Sequence, residues 1–286
     1  MPTSHLKKFK RGEADDPLRL QMRDEALLRD VAEFRFLNTE QILSLHDGSE
    51  RNLRERLARL FRHGYLDRPS SQRRASLSSR HTVYSLGRKG AEALAGNPEE
   101  RGMIFRRIRE ARRTTPLIAH ALMISGFKVC LILALKERSD VRMARFMQGD
   151  DLKSLLARRG TNPPLVADAF FVLETDAYRY PCFLEADRGT MTLGRFSAKL
   201  RKYWRHNRER GFKDSLGIEN FRVLTVAPSQ TRAEHLARAA KDADDRRTGS
   251  NMFLFLSETS YSLQSPEKIF EPLWLSAKGE KHGLLE

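Results

Sequence analysis

Three carboxylates stand where a strand inside a fold should be apolar. Asp168 interrupts Leu165-Val166-Ala167-Asp168-Ala169-Phe170-Phe171, Glu185 follows Pro181-Cys182-Phe183-Leu184, and Asp187 comes two residues later. Residues i and i+2 of a strand share a face, so Glu185 and Asp187 are expected to converge. A short connection between neighbouring strands would bring Asp168 beside them. Three anions so close repel unless a cation lies between them, and oxygen donors suit a hard divalent ion, Mg²⁺ or Mn²⁺. In the helix expected from Thr190 to about Asn207, capped by Thr190, Phe196, Lys199 and Tyr203 fall on one side. An ammonium on a packing face is unusual, so Lys199 is expected to aim at the carboxylates or at a phosphate, with Tyr203 positioning either. The same helix and its tail carry Arg195, Lys199, Arg201, Lys202, Arg205, Arg208, Arg210 and Lys213 against Glu209 alone. A metal on carboxylates beside a cationic rim suits phosphodiester hydrolysis. Asp168, Glu185, Asp187, Lys199 and Tyr203 are the candidate catalytic set, and the three carboxylates its metal ligands. Tyr203 as a covalent nucleophile is a weaker option, since packing explains it as well. The bland reading of the acids is structural: strand-end residues in ion pairs with Lys199 and Arg188.

These residues need a scaffold, and the pattern beyond residue 140 alternates strands and helices. Strands are expected at 141–146, 165–173, 178–186, 221–226 and 252–256, with helices at 190–207 and 231–243, around a mixed sheet. Ahead of them Pro116 starts a long helix that is apolar nearly all round and belongs in an interior. His120 within it reads as a packing residue and is left out of the site.

The first hundred residues read differently. Ala26, Leu27, Val31 and Phe34 make a helical stripe; Thr39 caps a short second helix; a third runs from Ser49 to about His63 on Leu53, Leu57, Leu60 and Phe61. Gly64 is its expected C-cap. Strands at 65–67 and 81–86 flank the polar, basic stretch Ser70 to Ser76, and Gly87 to Leu94 adds a short helix. That order is a winged helix-turn-helix, whose third helix enters the major groove while the wing follows the backbone. Residues 49–90 hold eleven basic side chains against three acidic ones. Arg51 and Arg54 are expected near base edges, with Arg62 on the outward face of the same helix. Arg73, Arg74 and Arg80 are expected on phosphates. A solvated basic helix in a protein-binding module is the alternative reading.

The whole chain supports a polyanion as partner: 286 residues with a formal net charge of +15. The longest unbroken apolar run, Val129 to Leu135, is too short to span a bilayer and is flanked by lysines. Lys7, Lys8, Lys10 and Arg11 have no apolar stretch behind them to act as a signal. Cys130 and Cys182 belong to no metal spacing and are expected buried and reduced, in a cytoplasmic protein. The absence of an aromatic stacking platform disfavours RNA. The expected partner is double-stranded DNA, with no membrane association, and a homodimer is one option for assembly.

Leu57-Ala58-Arg59-Leu60-Phe61-Arg62-His63-Gly64-Tyr65-Leu66-Asp67-Arg68 resembles the start of the replication-relaxation family of plasmid and mobile-element proteins. Val166-Ala167-Asp168-Ala169-Phe170, Phe183-Leu184-Glu185-Ala186-Asp187-Arg188-Gly189-Thr190 and Lys199-Leu200-Arg201-Lys202-Tyr203 resemble its second half in the same order. The resemblance implies a role in plasmid replication or mobilisation and a restriction-endonuclease-like PD-(D/E)XK core, with Asp168 as the motif aspartate and Glu185 as its second carboxylate. Two positions depart from that pattern. Ala167 replaces the proline before the aspartate, and Asp187 stands where a lysine is expected. Asp187 as a third ligand with Lys199 supplying the cation keeps a nuclease open; otherwise the domain serves DNA binding or dimerisation in a non-catalytic regulator. The expected fold is therefore α+β. Its parts are a tail over 1–20, a winged helix over 21–97, a helical connector over 98–138, an α/β nuclease-like domain over 139–265 and a tail over 266–286.

Overall fold

The computed structural model describes residues 9–11, 17–73, 81–96, 102, 115–157, 165–244 and 248–286. It divides into two compact units, Met1–Val129 and Cys130–Glu286.

In the first unit Leu27, Leu28, Val31 and Phe34 recur at helical spacing and are buried along α1 (Met22–Phe34). A two-residue strand β1 (Leu37–Asn38) leads into α2 (Thr39–Leu45). The cap of α2 is Asn38, one residue before the expected Thr39. Its Oδ1 accepts from the Gln41 backbone N–H at 2.9 Å, while the Gln41 side chain accepts from the Asn38 N–H at 2.9 Å. That reciprocal box leaves the Thr39 hydroxyl to donate to the Thr82 carbonyl instead. Helix α3 (Glu50–Arg62) buries Leu53, Leu57, Leu60 and Phe61 as its spacing predicts. It ends at Gly64, where φ is +83°. There the Tyr65 N–H reaches the Leu60 carbonyl and the Gly64 N–H the Phe61 carbonyl, a closure that favours glycine. Strands β2 (Leu66–Asp67) and β3 (Val83–Leu86) pair antiparallel, and β1 adds to the other side of β3. Helix α4 (Arg88–Leu94) follows. Within the segment expected as a tail, Arg11 is docked, its guanidinium donating to the carbonyls of Phe61 and Leu66.

Helix α5 (Thr115–Lys136) contains the division between the units; residues 98–101 and 103–114 of the expected connector lie outside the described residues. Its residues 118–136 are long and apolar enough to cross a membrane by length and composition alone. In the first unit they are core: Ile118 and Phe127 are fully buried, the Ser125 hydroxyl donates to the Phe36 carbonyl, and Lys128 pairs with Glu33.

The second unit is built on a seven-stranded mixed sheet whose strands lie in the order 281–282, 274–276, 253–257, 222–227, 179–186, 169–174 and 142–148. Strands β4 (Arg142–Gln148), β5 (Ala169–Glu174) and β6 (Arg179–Ala186) form an antiparallel meander, with α6 (Gly149–Leu156) between the first two. Helix α7 (Leu193–Arg208) and α8 (Gly211–Leu216) then cross over to β7 (Arg222–Ala227), parallel to β6. Helix α9 (Gln230–Ala243) crosses to β8 (Phe253–Ser257), again parallel. The segment expected as a C-terminal tail is part of this sheet: β9 (Trp274–Ser276) and β10 (Lys281–His282) extend it antiparallel, and Trp274 and Leu284 are fully buried. Strands of three and two residues are too short for alternation to reveal them. Cys130 and Cys182 are both buried and unpaired, as expected.

Candidate functional site

The positions that bring the carboxylates together follow from strand register. Phe170 pairs with Phe183 across β5 and β6, and the same antiparallel register continued by two residues sets Asp168 opposite Glu185 on one sheet face. The backbone at the strand end is part of the arrangement, since the Ala186 N–H donates to Asp168 Oδ2 at 2.8 Å. Thr192, rather than the expected Thr190, caps α7 by accepting from the Arg195 N–H. From that start Phe196, Leu200 and Tyr203 pack on the sheet. The Phe183 ring lies 5.4 Å from that of Tyr203, with Phe212 and Phe221 at 4.8 and 5.2 Å from Phe183.

On this bed sits Glu185, only 4% exposed. The Lys199 ammonium pairs with one of its carboxylate oxygens, and the Tyr203 hydroxyl donates to the other at 2.6 Å. Burial pushes the Glu185 carboxyl up to about 7; Lys199 pulls against that, and the nearby Asp168 charge adds to it. Burial works against the Lys199 ammonium too, yet the negative charges of Glu185, Asp168 and Asp187 hold its pKa above the ordinary lysine value. Tyr203 is fully buried, and burial followed by the adjacent carboxylate drives its phenol well up. Its hydroxyl meets Glu185.

Asp187 does not join the group as expected. Strand β6 ends at Ala186, so the two-residue alternation no longer governs the next side chain. Asp187 instead receives the Arg232 guanidinium from α9, with Nε at 2.6 Å from one oxygen and an Nη at 3.3 Å from the other. Arg232 also donates to the Met191 carbonyl at 2.6 Å. The predicted acid–base pairing therefore occurs for Glu185 and Lys199, while Asp187 pairs with Arg232, a partner not expected from the sequence. Among the described residues no group of three His, Cys, Asp or Glu side chains could hold a metal ion, so the three-carboxylate cage does not form. What does assemble is a pair of carboxylates, Asp168 and Glu185, with the Lys199 ammonium on Glu185.

Two residues were invisible in the sequence. Arg232 lies 45 positions from its partner on another helix. Thr225 is set beside Glu185 by the parallel register of β6 and β7, and its hydroxyl oxygen is fully buried without a hydrogen-bond partner among the described residues. Thr225→Val keeps the shape and removes that hydroxyl. In the free protein the change should be neutral or stabilising by up to about 1 kcal/mol, read by urea unfolding. A clear destabilisation would mean the hydroxyl has a partner.

In the first unit Arg51, Arg54 and Arg62 are exposed on α3. Arg51 pairs with Glu55 at 3.1 Å and Arg54 with Glu50 at 3.3 Å, both one helical turn away. Arg56, counted in the basic surplus, is turned inward onto Asp24. Arg74, Arg80 and the side chain of Arg73 lie outside the described residues.

No curated protein and no solved structure matches the chain. The family model for replication-relaxation does, over residues 28–220, which takes in α3, the three carboxylates, Lys199 and Tyr203; the chain belongs to that family.

Proposed function

We propose that this is a DNA-binding protein of a plasmid or mobile element, acting in replication or mobilisation in the cytoplasm, with a nuclease-like centre that nicks DNA. Family membership supports the setting. The observation that carries the chemistry is the convergence of Asp168, just before β5, with Glu185 of β6 and Lys199 of α7.

The first unit is read as a winged helix-turn-helix whose α3 meets duplex DNA. Three helices before an antiparallel β2–β3 pair support this, as do exposed Arg51, Arg54 and Arg62. The second unit is read as a restriction-endonuclease-like domain. Its support is the antiparallel meander continued in parallel through a crossover helix, with Asp168 just before the second strand and Glu185 near the end of the third.

Asp168 and Glu185 are the residues that would hold Mg²⁺ or Mn²⁺; two adjacent carboxylates are a hard oxygen donor set. The bound ion would supply positive charge against the phosphodiester and a lowered pKa for water. Tyr203 fixes the Glu185 carboxylate through its hydrogen bond, and Lys199 supplies a cation to offset charge developing on the phosphate. Arg232 holds Asp187 out of the ligand set.

A second reading, a non-catalytic operator- or origin-binding regulator, is favoured by the closure of Asp187 on Arg232 and of Glu185 on Lys199 and Tyr203. Supercoiled plasmid carrying the protein's own upstream region separates the two. With Mn²⁺ the wild type should yield open circles, and Asp168→Asn and Glu185→Gln should each slow this by at least about a hundredfold, in line with loss of an electrostatic catalytic group. Retardation of that DNA with no open circles in either metal would leave the regulator.

A further inference from the structure

Helix α7 carries two populations of cation. Lys199 turns inward to Glu185. Arg195, Arg201, Lys202, Arg205 and Arg208 are all exposed. At one residue per 100° they fall in an arc of about 140°, opposite the Phe196–Leu200–Tyr203 face. Among the described residues none of the five side chains is in an ion pair or hydrogen bond.

The contrast with the other exposed helices is informative. Arg51 and Arg54 on α3 and Arg88 on α4 each have a glutamate one turn away, the usual arrangement for a solvated basic helix. On α7 the neighbours one turn away are alike in charge: Arg201 with Arg205, Lys202 with Arg205, Arg205 with Arg208. Such pairs repel. The carbonyl end of the helix eases this for Arg205 and Arg208 but not for Arg195, Arg201 and Lys202. Glu209, at the C-cap, is the only acid within reach along the helix.

The stripe is long as well as bare. From Arg195 to Arg208, thirteen steps of about 1.5 Å extend it over about 20 Å, which suits a row of phosphates better than one small anion. Four of the five cations are arginines, whose planar fork matches phosphate oxygens. The arc holds no large apolar side chain, only Gly194 and Ala198, so it lacks what an interfacial membrane helix inserts.

We infer that the outer face of α7 is a second DNA-binding surface, independent of sequence, which grips the phosphate backbone on the same helix that carries Lys199 to Glu185. It rests on the reading that the chain acts on DNA, but not on the role given to α3.

The test is fluorescence anisotropy of the full chain with a short random-sequence duplex over a range of salt. Combining Arg201→Ala, Lys202→Ala, Arg205→Ala and Arg208→Ala should reduce the slope of log affinity against log salt by about 3 to 4, one counterion-release contribution per cation lost. Arg201→Lys, Arg205→Lys and Arg208→Lys together should keep the slope, which separates lost charge from misfolding. Removing four exposed lysines elsewhere, Lys241, Lys268, Lys278 and Lys281, should leave it nearly unchanged. Equal losses from the two alanine sets would overturn the inference, as net charge alone would then explain both. An unchanged slope in the α7 variant, with loss in Arg51→Ala/Arg54→Ala/Arg62→Ala, would overturn it and leave α3 as the DNA contact. The reverse pattern would support α7 and remove α3. Binding to anionic phospholipid vesicles with no affinity for duplex would overturn both.

Discussion

Lys199→Met should destabilise the second unit by about 3 kcal/mol near neutral pH, and adding Glu185→Gln should recover most of that. Removing one member of a buried pair leaves the other charge without compensation, which costs about 3–5 kcal/mol. The Lys199 side chain keeps 21% exposure, so water softens the loss and the lower end applies. With Glu185→Gln the buried charge is gone, while an amide oxygen remains to accept from Tyr203. Both tryptophans, Trp204 and Trp274, lie in this unit, so tryptophan fluorescence during urea unfolding reads it directly. A fall no greater in Lys199→Met than in the double variant would show that Glu185 does not depend on Lys199.

The same carboxyl gives a pH dependence with a definite sign. Its folded pKa, about 7, is above the ordinary value of 4.5. Its contribution to stability is therefore fully present below pH 4.5 and is lost as pH rises toward 7. Lys199 is shifted upward as well, so its contribution persists through that window and is lost only above the lysine range. In Lys199→Met the loss between pH 4.5 and 7 should steepen, and in Glu185→Gln it should vanish.

Arg56→Ala should have the largest effect in the first unit, about 3 kcal/mol. Asp24 is 1% exposed at the start of α1. It holds the Arg56 guanidinium through both oxygens, with Nε at 2.7 Å, and accepts the Gln21 N–H at 2.7 Å. Without Arg56 the buried carboxylate keeps the backbone donor alone. Hydrogen exchange of amides in α1 and α3 should accelerate together, while the tryptophan signal of the other unit stays where it is. Asp24→Asn in the same chain should restore part of the protection; unchanged exchange in Arg56→Ala would show that the pair holds nothing. Arg56 is turned into the fold, so the basic surplus of residues 49–90 overstates the charge that α3 exposes.

Local rules decided much of this protein, because each involves residues a few positions apart. The stripe Leu53, Leu57, Leu60 and Phe61 fixes α3, and Gly64 ends it, since the closure needs a left-handed residue one turn beyond the last apolar contact. Apolar runs gave β5 through β8, and the 3.6-residue period already put Lys199 on the packing side of α7 with Phe196 and Tyr203. Asp168 and Glu185 could be paired from the sequence because only a four-residue turn separates their strands. The partner of Asp187 could not, because Arg232 arrives on a helix two crossovers away and the alternation had already stopped at Ala186. Nor could the orphan hydroxyl of Thr225, which is next to Glu185 only through a parallel register. Which acid keeps a cation and which is spent on the fold is settled by long-range docking of helices on a sheet, and no spacing along the chain encodes that.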